Sequence, residues 1–331
     1  MTRSLWVLGG SFAALVSAIA LGVMVGTEPV SLSRALFDAA SLDHTLVVDV
    51  RLPRVLLACI AGAGLSIVGV ALQSLLRNPL AEPYVLGVSG GSAMGATIAL
   101  LLGASTASVF GASIVPLFAL AGGLGATALV HVLTSASNDT RGASVLLAGV
   151  VVNAIASAAI TFAKTLVSQT KAQELLFWLT GFLEVPSRTT LLVTTTYVAL
   201  GSAALMRDAP RLNLLSLGDT AAEHLGVSVR ALERRTYLAS SLVVGAIVST
   251  TGMIGFVGLL VPHALRRMLG PDARLLMPAA IGYGAAALAL CDLASRALFR
   301  VLHTEPPVGA VTALIGGTLF LALLRRHRPG L

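Results

Sequence analysis

The chain has 331 residues, 56% of them hydrophobic and 11% charged, and a mean hydropathy of +0.90, whereas a soluble domain carries about 25% charged residues. No soluble core hides that much apolar surface, so composition excludes a soluble enzyme and points to a single membrane domain over residues 1–331. At about 20 apolar residues per crossing the length supplies about ten spans, and the expected fold is an all-α polytopic membrane protein.

Uncharged runs cover residues 5–25, 55–76, 83–138, 142–163, 189–206, 236–265, 275–291 and 306–324. The first follows Arg3 but is too long for the apolar region of a signal peptide, so it reads as a retained span. The run 83–138 holds enough residues for two spans that turn near 103–112, where small and polar residues cluster. Cys59 and Cys291 both fall in apolar runs with no metal-ligand spacing, and read as packing residues with no metal site.

The run 236–265 is long for one crossing and short for two. Cytoplasmic loops collect Lys and Arg, and that rule decides the count. With the N-terminus inside and two crossings here, 14 of the 22 basic residues lie inside, among them Arg77, Arg141, Arg207, Arg211, Arg230, Arg234, Arg235, Arg266 and Arg267. A single crossing leaves only 10 inside. Ten spans with both termini cytoplasmic is therefore expected, and topology rather than nucleic acid explains the formal charge of +7. No aromatic-interleaved basic stripe accompanies that charge.

The short eighth crossing requires a chain break around 250–255, rich in Gly and Thr, and then a brief helix ending near Pro262 and His263. Irregular backbone at membrane depth is tolerated only inside protein or against a cavity, so this segment faces inward. The spacing of Gly91 and Gly95 allows close helix packing.

The longest polar connection runs over 207–235. Within it Thr220-Ala-Ala-Glu223 matches a capping box, and Gly226 can end the resulting helix as a left-handed cap. A short helix at the inner face suits a docking lever for a soluble partner, although an ordinary interfacial helix has the same pattern. The chain has no ATP site of its own. A phosphate-binding loop needs a lysine after glycine, and the two lysines, Lys164 and Lys171, follow Ala163 and Thr170.

Arg51-Leu-Pro-Arg54, Gln73, the segment from Arg77-Asn-Pro-Leu-Ala-Glu to Pro83, Leu86-Gly-Val-Ser-Gly-Gly91, Leu147-Ala-Gly-Val150, Leu214-Leu-Ser-Leu-Gly-Asp219, Leu225-Gly226, Gly255-Phe-Val-Gly-Leu259, Pro262-His263, Asp292 and Arg296 occur in this order. In these segments, from about residue 50 to residue 320, the chain resembles the permease family of type II ABC importers for ferric siderophores, haem and cobalamin. The resemblance implies a homodimer of ten-span subunits in a bacterial cytoplasmic membrane. It also implies two cytoplasmic ABC ATPase subunits, which bind ATP and Mg, and a periplasmic or lipid-anchored substrate-binding protein. The permease itself then needs no cofactor. Its ATPase-coupling residues correspond to Leu214, Leu217, Gly218, Asp219, Ala222, Glu223, Leu225 and Gly226. Its inner gate corresponds to Asn78 and Leu80 with the turn at Arg141, Gly142, Ala143 and Ser144. Arg51, Arg54 and Arg296 correspond to outer-face residues that grip the binding protein. Gly142 and Ala143 stand where the cobalamin branch would have small hydroxyl residues, so cobalamin is not favoured; a ferric siderophore is the expected cargo because that branch of the family is the broadest, with haem and cobalamin as the alternatives.

Two other classes fit less well. Gly87-Val-Ser89-Gly-Gly91 has the form of a nucleophile elbow, with His131 and His263 in or beside spans, but these glycines also serve to pack a helix. An ion-coupled secondary transporter would place ionisable groups near the midplane. Here the carboxylates sit almost entirely at span ends. Asp292 is the nearest exception, and Arg296 stands four residues on along the same helical face. The histidines each stand alone, without a second ligand at helical spacing, and read as packing or interfacial residues.

Overall fold

The computed structural model describes residues 2–26, 28–103, 108–109, 112–135 and 141–325. Its helices are α1 (Thr2–Met24), α2 (Leu32–Phe37), α3 (Leu42–His44), α4 (Leu52–Leu75), α5 (Val88–Leu101), α6 (Val115–Ser135), α7 (Arg141–Thr165), α8 (Gln169–Leu179), α9 (Arg188–Leu215), α10 (Asp219–His224), α11 (Val229–Thr251), α12 (Val257–Leu269), α13 (Ala273–Leu302) and α14 (Val308–Arg325). A π turn over Thr45–Arg51 joins α3 to α4, a 3-10 turn over Pro83–Leu86 precedes α5, and Ser108–Val109 pairs antiparallel with Ala112–Ser113.

Among the described residues six helical stretches are long and apolar enough to cross a membrane: Trp6–Met24, Leu42–Leu75, Val115–Thr134, Ser144–Thr165, Arg188–Leu215 and Ala273–Leu302. Helices α5 and α14 are apolar but shorter. Helix α11 has charges in its first two turns, at Arg230, Glu233, Arg234 and Arg235, and α12 is a 13-residue piece. In chain order these four stand where the remaining expected spans fall.

Helix α4 is the centre of the bundle. Its side chains from Val55 to Leu75 are almost all buried, and α1, α9, α11, α12 and α13 pack around it. Glycines set the approach distances, since a methyl group on Gly62 would overlap the Gly284 carbonyl of α13, and one on Gly69 would overlap the Gly258 carbonyl of α12. With no hydrophobic drive between helices in lipid, such backbone contact is what holds them together. The same device joins α5 to α6, where Gly91 and Gly95 face the carbonyls of Gly122 and Phe118. Cys59 and Cys291 pack in or against the main apolar core and are not bonded to each other.

The break between α11 and α12 lies at residues 252–256, where Gly252 (φ 66°) and Phe256 (φ 69°) both have positive φ. The second half-helix continues beyond Pro262 and His263 to Leu269, farther than expected. Pro262 is its sixth residue, so the carbonyl it would leave unpaired is that of Gly258, which lies in the crowded approach to Gly69.

The polar connection over 207–235 is also more helical than expected. Helix α9 continues through Pro210 to Leu215 and α11 begins at Val229, which leaves only α10 and two short turns between them. Helix α13 likewise runs on to Leu302, past the expected end at residue 291. Asp292 and Arg296 pair along that extension.

Candidate coupling and gating site at the inner face

Helix α10 is the short six-residue helix expected in this connection, with a different start. Gly218, at φ 112° and ψ 154°, occupies the N-cap without a side-chain bond. Thr220 and Glu223 therefore lie inside the helix, and the expected capping box does not form. A glycine can adopt that φ freely, which lets the chain turn sharply out of α9. The far end is as expected: Gly226 is left-handed (φ 86°), its N–H donates to Glu223 O, and Val227 N–H donates to Ala222 O, both at 2.9 Å. That pair of bonds is a complete Schellman cap. It fixes a short helix that would be marginal alone.

Ala222 is fully buried beneath α10, while Leu217 and Leu225 are 65% and 57% exposed. The segment thus presents two large apolar side chains outward from a rigid frame. Asp219, in the first turn, forms an ion pair with Arg77. Arg77 turns the chain out of α4 at φ 48°, and the next residues are the expected gate. Asn78 Oδ1 accepts from Leu80 N at 2.9 Å, a side-chain turn that holds Leu80 47% exposed.

The same loop holds the broken backbone. Phe256 N–H donates to Glu82 Oε1 at 2.6 Å, and Ile254 N–H donates to the Tyr84 hydroxyl at 2.7 Å. Phe256 is the N-cap of α12, so a carboxylate at its amide satisfies a donor the helix cannot and complements the helix dipole. Asn153 of α7 joins the loop from the other side: its Nδ2 donates to Tyr84 O at 2.8 Å, and its Oδ1 accepts from Gly90 N at 3.0 Å. Gln73 Nε2 donates to Leu259 O at 3.3 Å. Residues 77–84 therefore connect α4, α5, α7, α10 and the break. Beyond the break lies a cavity of about 720 Å³ lined in part by Phe177, Trp178, Phe182, Glu184 and Thr250. Sequence reasoning missed Tyr84 and Asn153 and saw Glu82 only as part of a motif. The available signal is the broken helix itself, whose free amides require acceptors nearby.

Of the second gate segment, Arg141, Gly142, Ala143 and Ser144 form the first turn of α7 rather than a loop turn. The side chains of the first three lie outside the described residues.

The outer-face arginines are arranged differently from the expectation. Arg51 and Arg296 are each 6% exposed and cap the C-terminal end of α1. Arg51 donates to Val23 O at 3.1 Å, Met24 O at 3.2 Å and Glu28 O at 2.5 Å. Arg296 donates to Gly22 O at 3.0 Å and Val25 O at 3.2 Å. Arg54 Nε pairs with Asp292 Oδ1 at 2.9 Å and its Nη2 with Glu305 Oε1 at 2.5 Å, while Arg296 Nε holds Asp292 Oδ2 at 3.0 Å. Asp292 is fully buried. The three guanidiniums knit α1, α4, α13 and the approach to α14, and in this conformation they are not presented to a partner. The reason for Arg54 and Arg296 is desolvation, since the buried Asp292 carboxylate demands charged donors, while Arg51 is taken up by backbone carbonyls.

The remaining alternatives also find structural explanations. Ser89 Oγ points at Tyr84 O, 3.5 Å away, from the first turn of α5, and His131 packs its ring against Tyr237 with centroids 6.2 Å apart. Asp292 is occupied by its two arginines.

Residues 14–326 match the FecCD transport family. The chain belongs to that family. Among curated relatives it is 38% identical over 289 residues to the cobalamin import system permease protein BtuC of Halobacterium salinarum, covering 87% of this chain and 76% of that one. It is 35% identical to the hemin transport system permease protein HmuU of Yersinia pestis, covering 89% and 88%. A solved inward-facing conformation of a metal-chelate type ABC transporter superposes with a TM-score of 0.84 at 32% identity, covering 97% of this chain and 99% of that one. As in other FecCD chains, the fold is that of a multi-pass membrane permease.

Proposed function

We propose that this FecCD chain is the permease of an ATP-driven importer of a metal chelate, with a ferric siderophore as cargo, in a cytoplasmic membrane. In this reading two copies enclose the path, two ABC ATPase subunits bind ATP and Mg beneath them, and an external binding protein delivers the cargo. The likeness to permeases named for cobalamin, hemin and, in Helicobacter pylori, an iron chelatin supports the metal-chelate class.

The observation that carries the coupling role is the Arg77–Asp219 pair between lever and loop. Leu217 and Leu225 would sit in a groove of the ATPase, with Leu214, Gly218, Glu223 and Gly226 framing them. A displacement of α10 would move Arg77, then Asn78 and Leu80 at the inner gate with the first turn of α7. It would also move Glu82 against the half-helix α12.

The test is Ala222→Pro in the permease co-expressed with its ATPase and binding protein. Ala222 N–H donates to Gly218 O at 2.9 Å, and proline removes that bond at a cost of about 3 kcal/mol to the helix. Normal membrane assembly, lost uptake and an ATPase rate that no longer responds to loaded binding protein are expected. Uptake still coupled to ATP hydrolysis would exclude α10 as the lever.

A further inference from the structure

Between the inner ends of α9 and α11 lies a groove of about 430 Å³. Its floor holds three arginines and one carboxylate: Arg207, Arg211, Arg235 and Asp208. Asp208 is 5% exposed and accepts from Arg211 Nη1 at 2.5 Å and from Arg235 Nε and Nη2 at 2.9 and 3.3 Å. The carboxylate thus fixes two guanidiniums side by side, yet their side chains remain 44% and 50% exposed. Arg207 has no ion pair among the described residues. The floor carries a net charge of +2, from three cations against one anion.

The walls are of opposite character. Leu200 and Ala204 rise from the floor on α9, and Leu238 and Leu242 rise on α11. Leu200 and Leu238 are 60% and 57% exposed. The step from Arg207 to Leu200, like that from Arg235 to Leu242, is seven residues, or about 10 Å of helix. Arg207 follows the apolar run 189–206 and Arg235 precedes the run 236–265, so the floor lies at the level of the headgroups and the walls in hydrocarbon.

We infer that this groove is a binding site for an anionic phospholipid of the inner leaflet, with the phosphodiester on Arg207, Arg211 and Arg235 and an acyl chain between the leucine walls. Planar guanidiniums grip phosphate oxygens in pairs, and basic pockets between membrane helices on the cytoplasmic side suit acidic headgroups. A free nucleotide or inorganic phosphate would leave the apolar walls without a partner. Asp208 is a positioning residue here, since it holds two of the three cations in place. The site is separate from α10 and the 77–84 loop, so it stands whether or not the transport reading holds.

The full chain, purified in a mild detergent, is titrated with phosphatidylglycerol and with phosphatidylcholine, and bound lipid is counted by native mass spectrometry. Wild type should bind phosphatidylglycerol in preference, unaffected by millimolar inorganic phosphate. Arg207→Gln/Arg211→Gln should lose that preference by at least about tenfold, as expected when two near-surface arginines no longer attract the headgroup. Ala204→Trp keeps every charge but fills the groove, and should weaken phosphatidylglycerol binding as well, with a melting temperature that shows the fold intact. Equal binding of the two lipids to wild type overturns the site, and so does undiminished preference in both variants. Competition by inorganic phosphate, or cross-linking of Ala204→Cys to a protein partner in the assembled complex, would assign the groove to another occupant and overturn it too.

Discussion

Arg77, in the turn that leaves α4, forms an ion pair with Asp219, in the first turn of α10. Both side chains are close to half exposed, so the pair adds at most about 1 kcal/mol to stability. It is a charged link between α10, beside which Leu217 and Leu225 are exposed, and the loop that carries Asn78, Leu80 and Glu82. Arg77→Asp and Asp219→Arg should each leave the melting temperature nearly unchanged but lower cargo-stimulated ATPase activity about fivefold or more, the lower range of an allosteric coupling. The double exchange should restore it. Full stimulation in both single variants would show that motion passes by another route.

Arg54 belongs to the fold. Replacing it by methionine leaves the buried Asp292 with one guanidinium instead of two, and breaking a buried pair costs roughly 3–5 kcal/mol. Retained contact with Arg296 puts the loss toward the lower end. Thermal unfolding in detergent should show a clearly lower midpoint for Arg54→Met, partly recovered in Arg54→Met/Asp292→Asn, where the unpaired charge is gone. An unchanged midpoint for the single variant would return Arg54 to a role at the surface.

Glu82 should matter locally. In Glu82→Ala the Phe256 amide loses its acceptor inside the protein, a defect worth about 1–3 kcal/mol, and Tyr84→Phe does the same to Ile254. Hydrogen exchange over residues 252–256 should accelerate in both variants while α4 and α13 stay protected. If exchange in the break matches wild type, the loop does not brace it.

Asp272 anchors the inner end of α13. Its carboxylate accepts from Asn213 Nδ2 at 2.6 Å, and Asn213 Oδ1 accepts from Ala273 N at 2.8 Å, which ties the end of α9 to the start of α13. The hydrogen bond from Arg274, aided by Asn213, holds the Asp272 carboxyl at about 2, below its ordinary 3.8. A carboxyl depressed in the folded state stabilises above its ordinary value and loses that contribution as pH falls through the folded one. The melting advantage of wild type over Asp272→Asn should therefore be constant above about pH 5 and shrink between about pH 4 and pH 2. A difference that is flat with pH across that window would mean Asp272 acts only through its shape.

The sequence by itself determined the membrane class, the all-helical run of spans and the place of a short helix near residue 220, because hydropathy, basic-residue counts and cap signals are local. The break at 252–256 was legible for the same reason: a run too short for two full crossings, with Gly252 and Gly255 inside it, can only be irregular. The Gly226 cap was legible because a glycine at a helix end is a local signal. Only the tertiary structure decided what the charges do. Arg51, Arg54 and Arg296 read as surface residues at span ends, yet Arg51 and Arg296 are buried and Arg54 is partly buried around Asp292 and the end of α1, since partners 238 and 274 residues away in sequence meet Arg54 and Arg296 there. Burial of a charge depends on whether distant donors and acceptors converge, and no window of sequence contains both halves of such a pair. For the same reason Arg77 met Asp219 across 142 residues, and Glu82 met Phe256 across 174, only once the helices had packed through their glycines.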